Sequence, residues 1–95
     1  MRVEWHPLAR TDLAELLTCI ATDNPKAAYR VHDEIRRQTG ILAAHPEAGR
    51  LGRVVSGTRE LVIAGTPYIA AYRVTTGAVT ILRLLHGARR WPRAL

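Results

Sequence analysis

An α+β domain of element order β-α-α-β-β-β, a helix hairpin packed on a small and mainly antiparallel sheet, follows from the way apolar residues repeat along these 95 residues. Three patterns carry that expectation. Apolar residues recur twice at helical spacing before Ala44. After Gly57, three short runs rich in β-branched and aromatic residues are parted by glycine-containing turns. A polar–apolar alternation precedes the first helix. A chain of this length buries one modest core, so a single domain over residues 1–95 is expected.

In Arg2-Val3-Glu4-Trp5-His6, Val3 and Trp5 fall on one face of a short strand that Pro7 stops. From Leu8 the spacing changes: Leu13, Leu16, Leu17 and Ile20 follow i, i+3, i+4, i+7, with Asp12, Glu15 and Thr18 on the other side. Pro7 suits a first helical turn, and Asp12 and Glu15 lie where the helix dipole favours acids. Asp23-Asn24-Pro25 then resets the chain, with Asn24 as N-cap and Pro25 at the first position of a second helix. That helix is expected from about Pro25 to Ala44, with Ala28, Val31, Ile35 and Leu42 on its buried stripe and Arg30, Asp33, Arg37 and Gln38 outside it. So short a connection makes the pair an antiparallel hairpin.

His45-Pro46-Glu47-Ala48-Gly49 ends the helical region, and the glycines through Gly57 predict a loop. Strands follow over Thr58 to Ala64, Tyr68 to Val74 and Val79 to Leu85. Their three- and four-residue connections, each holding a glycine, make an antiparallel meander. Alternation sets Tyr68 and Tyr72 with Ala70 and Val74 on the core side, and Arg73 with Ile69 and Ala71 on the other. It also places Arg83 with Val79, Ile81 and Leu85. An arginine on an apolar face must be an internal anchor for a carboxylate or carbonyl, or the rim of a site, and the anchor is the favoured reading.

Charge divides sharply along the chain. Residues 1–49 hold six basic against seven acidic side chains, whereas residues 50–95 hold eight arginines against Glu60 alone. The strand half therefore attracts a polyanion, whether nucleic acid, an acidic protein segment or a nucleoprotein assembly. Cys19 is the only cysteine, which rules out an intrachain disulfide and suits a reducing compartment. No apolar stretch approaches the length that spans a bilayer, so a cytoplasmic protein with no membrane partner is expected.

Most catalytic signatures are absent: there is no Walker loop, no G-x-G-x-x-G, and one serine, Ser56. His6, His32, His45 and His86 stand in different elements without metal-ligand spacing, so neither a metal nor another cofactor is expected. What remains is a phosphodiester site. Cleaving RNA through its 2′-hydroxyl needs a base, an acid and cations to hold the developing charge. His86 with Arg59, Arg73, Arg83 and Arg89 can supply those parts, and Tyr72 or Trp91 can offer a stacking face. The competing reading is that His86 caps a strand end and the arginines are solvated or pair with Glu60.

The order of Val3-Glu4-Trp5, Leu8-Ala9-Arg10-Thr11-Asp12-Leu13, His45-Pro46-Glu47-Ala48-Gly49-Arg50, Arg59-Glu60-Leu61, Tyr68-Ile69-Ala70-Ala71-Tyr72-Arg73-Val74 and Ile81-Leu82-Arg83-Leu84-Leu85-His86-Gly87-Ala88-Arg89 resembles the RelE/ParE superfamily of toxins from bacterial type II toxin–antitoxin systems. The resemblance covers nearly the whole chain and implies a toxin silenced by a cognate antitoxin that wraps around it. Two activities occur in the superfamily. Ribosome-dependent mRNA endonucleases tend to carry an arginine where Ile69 stands here, and a catalytic residue in a C-terminal extension, whereas this chain ends soon after Trp91. The resemblance is therefore closer to the ParE-like branch, which implies inhibition of DNA gyrase rather than catalysis; the alternative is cleavage of mRNA on the ribosome by His86, Arg83, Arg89 and Arg59. Arg59, Arg73, Arg89, Arg90 and Trp91 are the expected contacts to target or antitoxin.

Overall fold

The computed structural model describes residues 1–52, 55–89 and 91–92. Strand β1 (Arg2–Trp5) leads into helix α1 (Pro7–Asp23) and helix α2 (Pro25–Gly40), which a short 3-10 turn, Ile41–Ala43, extends. Strands β2 (Arg50–Leu51), β3 (Arg59–Val62), β4 (Tyr68–Thr75) and β5 (Ala78–His86) complete a five-stranded sheet of order β1-β5-β4-β3-β2. β1 runs parallel to β5, and the other pairs are antiparallel. The predicted α+β arrangement holds, with one addition. Arg50 and Leu51 pair with Glu60 and Arg59 as a two-residue edge strand where the glycines predicted a continuous loop.

Local chemistry sets the helix ends. The Leu8 N–H donates to His6 Nδ1 at 3.1 Å, so His6 caps α1 just before Pro7. Asn24 Oδ1 accepts from the Ala27 N–H at 3.1 Å, and Pro25 opens α2 without wasting a backbone donor. The α2 stripe is as spaced: Ala28, Val31, Ile35 and Leu42 are all buried. The regular helix stops at Gly40 rather than Ala44, and Leu42 reaches the core from the 3-10 turn.

Gln38 is a correction. Helical spacing placed it outside the stripe, yet it is buried. Its Nε2 donates to the Ala64 carbonyl at 2.9 Å, and its Oε1 accepts from the Ala64 N–H at 2.8 Å. The amide thus does for Ala64, just past the end of β3, what a neighbouring strand would do, and the bonds in turn satisfy the buried Gln38 side chain.

The core lies between the hairpin and one sheet face. Ala9, Val31, Ile35 and Leu42 meet Ile63, Ala70, Tyr72, Val79, Ile81 and Leu84, with Leu13, Leu16, Leu17 and Ile20 of α1 packed around them. In β5 the alternation changes parity. Tyr72 pairs with Ile81 but Ala71 pairs with Arg83, so Leu82 is an extra residue, a β-bulge. Beyond it Leu84 enters the core, 3% exposed, in place of the Leu85 that strict alternation selects.

Candidate functional site

The bulge coincides with the place where β5 loses its outer neighbour. β1 ends at Trp5, opposite Ile81, and the His6 N–H makes the last bond, to the Ile81 carbonyl at 2.8 Å. Past that point α1 supplies a substitute. Asp12 accepts from Arg83 Nε at 2.8 Å and from a terminal nitrogen of Arg83 at 3.0 Å, while its Oδ2 also takes the Leu84 N–H at 3.0 Å. One carboxylate therefore fixes both the guanidinium and the bare strand edge. The side chains are only 25% and 13% exposed. Arg83 is an internal anchor, and its hydrogen bonds with Asp12 push its proton affinity further upward, against the opposing effect of burial.

Asp12 and the end of β5 bound a cleft of about 270 Å³ that also takes in Glu15, Leu16, Cys19, Tyr68, Leu84, Leu85, His86, Arg89 and Trp91. His86 and Arg89 do come together here. The His86 ring stands edge-on to Tyr68, centroids 5.7 Å apart, and its Nδ1 accepts from the Ala88 N–H at 3.1 Å. The indole Nε1 of Trp91 donates to the His86 carbonyl at 3.3 Å. These bonds define the imidazole's chemistry. With Nδ1 an acceptor, the neutral ring carries its proton on Nε2, so it offers the cleft a donor; acting there as a base requires the other tautomer and loss of the Ala88 bond.

Arg59 lies elsewhere. It pairs with Tyr72, four residues along β4 from the Tyr68 that faces His86, a separation of about 13 Å. One terminal nitrogen of Arg59 donates to the Gly49 carbonyl at 2.8 Å and to the Glu47 carbonyl at 3.4 Å. Tyr72 completes the same lock: its hydroxyl donates to the Pro46 carbonyl at 2.7 Å and accepts from the Gly49 N–H at 2.8 Å. Burial pushes the Tyr72 phenol pKa up, and the Gly49 N–H and the Arg59 charge only partly oppose it. Gly49 is required because a Cβ there would stand 2.6 Å from the Tyr72 ring and hydroxyl. The His-Pro-Glu-Ala-Gly-Arg segment is thus held as structure, and Tyr72, fully buried, gives no stacking face to a base.

The remaining cations divide into engaged and unengaged. Arg50 binds the buried Glu60 carboxylate through Nε at 3.1 Å and a terminal nitrogen at 3.0 Å. Arg73 and Arg89 are exposed and form no ion pair with a described residue. Arg90 lies outside the described residues. Asp12, Gln38 and the Tyr72 hydroxyl were not singled out from sequence, since each finds its partner across the fold.

A family model described as "ParE toxin of type II toxin-antitoxin system, parDE" matches residues 3–91. The chain is 42% identical over 94 residues to "Putative toxin Y4kP" of Sinorhizobium fredii, covering 99% of this chain and 96% of the relative. It is 36% identical over 88 residues to "Toxin RelE2" of Caulobacter vibrioides, covering 93% and 97%. A solved structure of the chromosomal ParDE TA system from P. aeruginosa superposes with a TM-score of 0.79 at 29% identity, covering 88% of this chain and 92% of that one. The helix hairpin on a five-stranded mixed sheet, the order of motifs and these likenesses agree, and the chain belongs to the ParE toxin family of type II toxin–antitoxin systems, within the RelE/ParE superfamily.

Proposed function

We propose that this toxin arrests growth by inhibiting DNA gyrase in the cytoplasm, and that its cognate antitoxin holds it silent until needed. The match to the ParE family model over residues 3–91 carries this reading. The dispersal of the nuclease candidates supports it: Arg83 is bound to Asp12, Arg59 holds the Gly49 and Glu47 carbonyls, and Ile69 occupies the position where an arginine is expected for RNA cleavage. A gyrase inhibitor needs a binding surface and no assembled acid–base pair. Purified toxin should block supercoiling by gyrase and accumulate cleaved DNA, and adding antitoxin should reverse both; unchanged supercoiling with no cleaved product would refute the proposal.

A second reading, mRNA cleavage on the ribosome, draws on one observation, that His86 and Arg89 line the same cleft. It predicts discrete new 5′ ends in transcripts on toxin expression, lost on His86→Ala. Intact transcripts during growth arrest would leave gyrase as the target.

A further inference from the structure

We infer that His86 is a proton-operated latch: as a neutral ring it holds the turn that carries Arg89 and Trp91, and as a cation it swings from that turn to Glu15 across the cleft. The latch begins with how β5 ends. His86 fixes the chain beyond it through three bonds: Nδ1 accepts from the Ala88 N–H at 3.1 Å, and the carbonyl accepts from the Arg89 N–H at 3.1 Å and from the Trp91 indole at 3.3 Å. Of these, the Nδ1 bond is the one that depends on protonation. An imidazolium carries a hydrogen on both nitrogens, so its Nδ1 would meet the Ala88 N–H donor to donor and the ring must turn away. Gly87 stays behind, because its N–H donates to the Pro67 carbonyl at 2.8 Å. The movement is therefore confined to the imidazole and the residues after Gly87.

The cleft decides where the charged ring goes. Among the described residues, Asp12, Glu15 and Cys19 of α1, Tyr68 of β4 and Arg89 of the turn line it with His86. Asp12 is committed: both its oxygens bind Arg83, and one also takes the Leu84 N–H. Glu15, one helical turn further on, is exposed and makes no ion pair or side-chain hydrogen bond with a described residue. It is the carboxylate open to an imidazolium. Arg89, a like charge on the turn just released, is repelled by the same cation. An exposed hydrogen bond and an exposed ion pair are of similar small worth, so neither arrangement prevails by itself and the proton selects between them. Arg89 and Trp91 are among the expected contact residues, so acidification changes the surface the toxin offers, whichever target it meets.

The test is NMR of the isotopically labelled full chain from about pH 8 down to about pH 5, the range in which histidine changes charge. At the upper end the His86 ring should show Nε2 protonated and Nδ1 bare, with Overhauser contacts from the ring to Ala88. On acidification those contacts should be lost and replaced by contacts to the Glu15 side chain, and the Ala88 amide and Trp91 indole signals should move with the same midpoint as the ring. Glu15→Gln should shift that midpoint to lower pH. His86→Asn puts an amide oxygen where Nδ1 stands, so its Ala88 signal should hold still over the same range. His6 makes the same kind of bond to the Leu8 N–H, which is why each readout is tied to one residue. A ring protonated on Nδ1 at the upper end, ring-to-Ala88 contacts that survive protonation, a midpoint unmoved by Glu15→Gln, or an Ala88 signal that still titrates in His86→Asn would overturn the inference. Should His86→Asn not fold, the wild-type and Glu15→Gln titrations decide it.

Discussion

Tyr72 concentrates more of this fold than any other single side chain. Its ring fills the core, while its hydroxyl satisfies a carbonyl and an amide of the Pro46–Gly49 segment. In Tyr72→Phe both partners lose their bond and the Gly49 N–H is left buried, a loss of about 2 kcal/mol readable by urea denaturation. The same residue predicts a pH effect. Burial raises the folded phenol above its ordinary value of about 10, so the native state keeps its proton after the unfolded chain has begun to lose it. That contribution is complete below about pH 10 and disappears as pH climbs through the folded value. Wild type should thus lose stability above pH 10 more steeply than Tyr72→Phe; parallel alkaline profiles would contradict the assignment.

Between elements, the contact that matters most is α1 against β5. Asp12 takes the place of the strand that β1 does not provide, and so settles the bulge, the position of Arg83 and the shape of the cleft beside His86. Asp12→Ala should cost about 2–3 kcal/mol, at or below the low end for broken buried pairs because Arg83 retains a path to water. Arg83→Met should cost less, since the Asp12 carboxylate it leaves keeps the Leu84 N–H, whereas Asp12→Ala strands both the guanidinium and that N–H. Thermal denaturation of the two variants orders them. Much of this level was legible beforehand: the leucines of α1, the stripe of α2 and the three meander strands are written in periods of 3.6 and 2. The bulge at Leu82 was not, because one extra residue leaves no mark in an unbroken apolar run from Ile81 to Leu85 except Arg83. Nor was β2, two residues long among glycines, or the use of Gln38 as a partner for Ala64. Each depends on what lies opposite in space, and neither composition nor period records that. Of the candidate site, sequence located the His86–Arg89 cluster. It did not show that Arg59 stands opposite Tyr72, away from that cluster, with a terminal nitrogen bound to the Gly49 and Glu47 carbonyls.

At the scale of the molecule, charge and topology divide the work. The hairpin carries the acids, the sheet carries the arginines, and the fold hides Glu60, the carboxylate that would blunt the contrast. The topology has a further consequence in how the protein comes to exist. Helix hairpin and meander are built from neighbours and close quickly, but β1 has no partner until Ala78–Ile81 are available, and Asp12 waits for Arg83. Those contacts carry the largest loop-closure entropy in the chain. A side chain of β1 should then contribute after the rate-limiting step: Val3→Ala should speed unfolding in stopped-flow measurements and leave refolding nearly unchanged, while equal effects on both rates would place β1 in the nucleus. A chain still under synthesis thus carries a helix pair without its last strand, and the surface that joins β1, Asp12 and β5 exists only once the C-terminal strand is free to dock. Built this way, β1 is finished only by a strand that the chain reaches at Ala78.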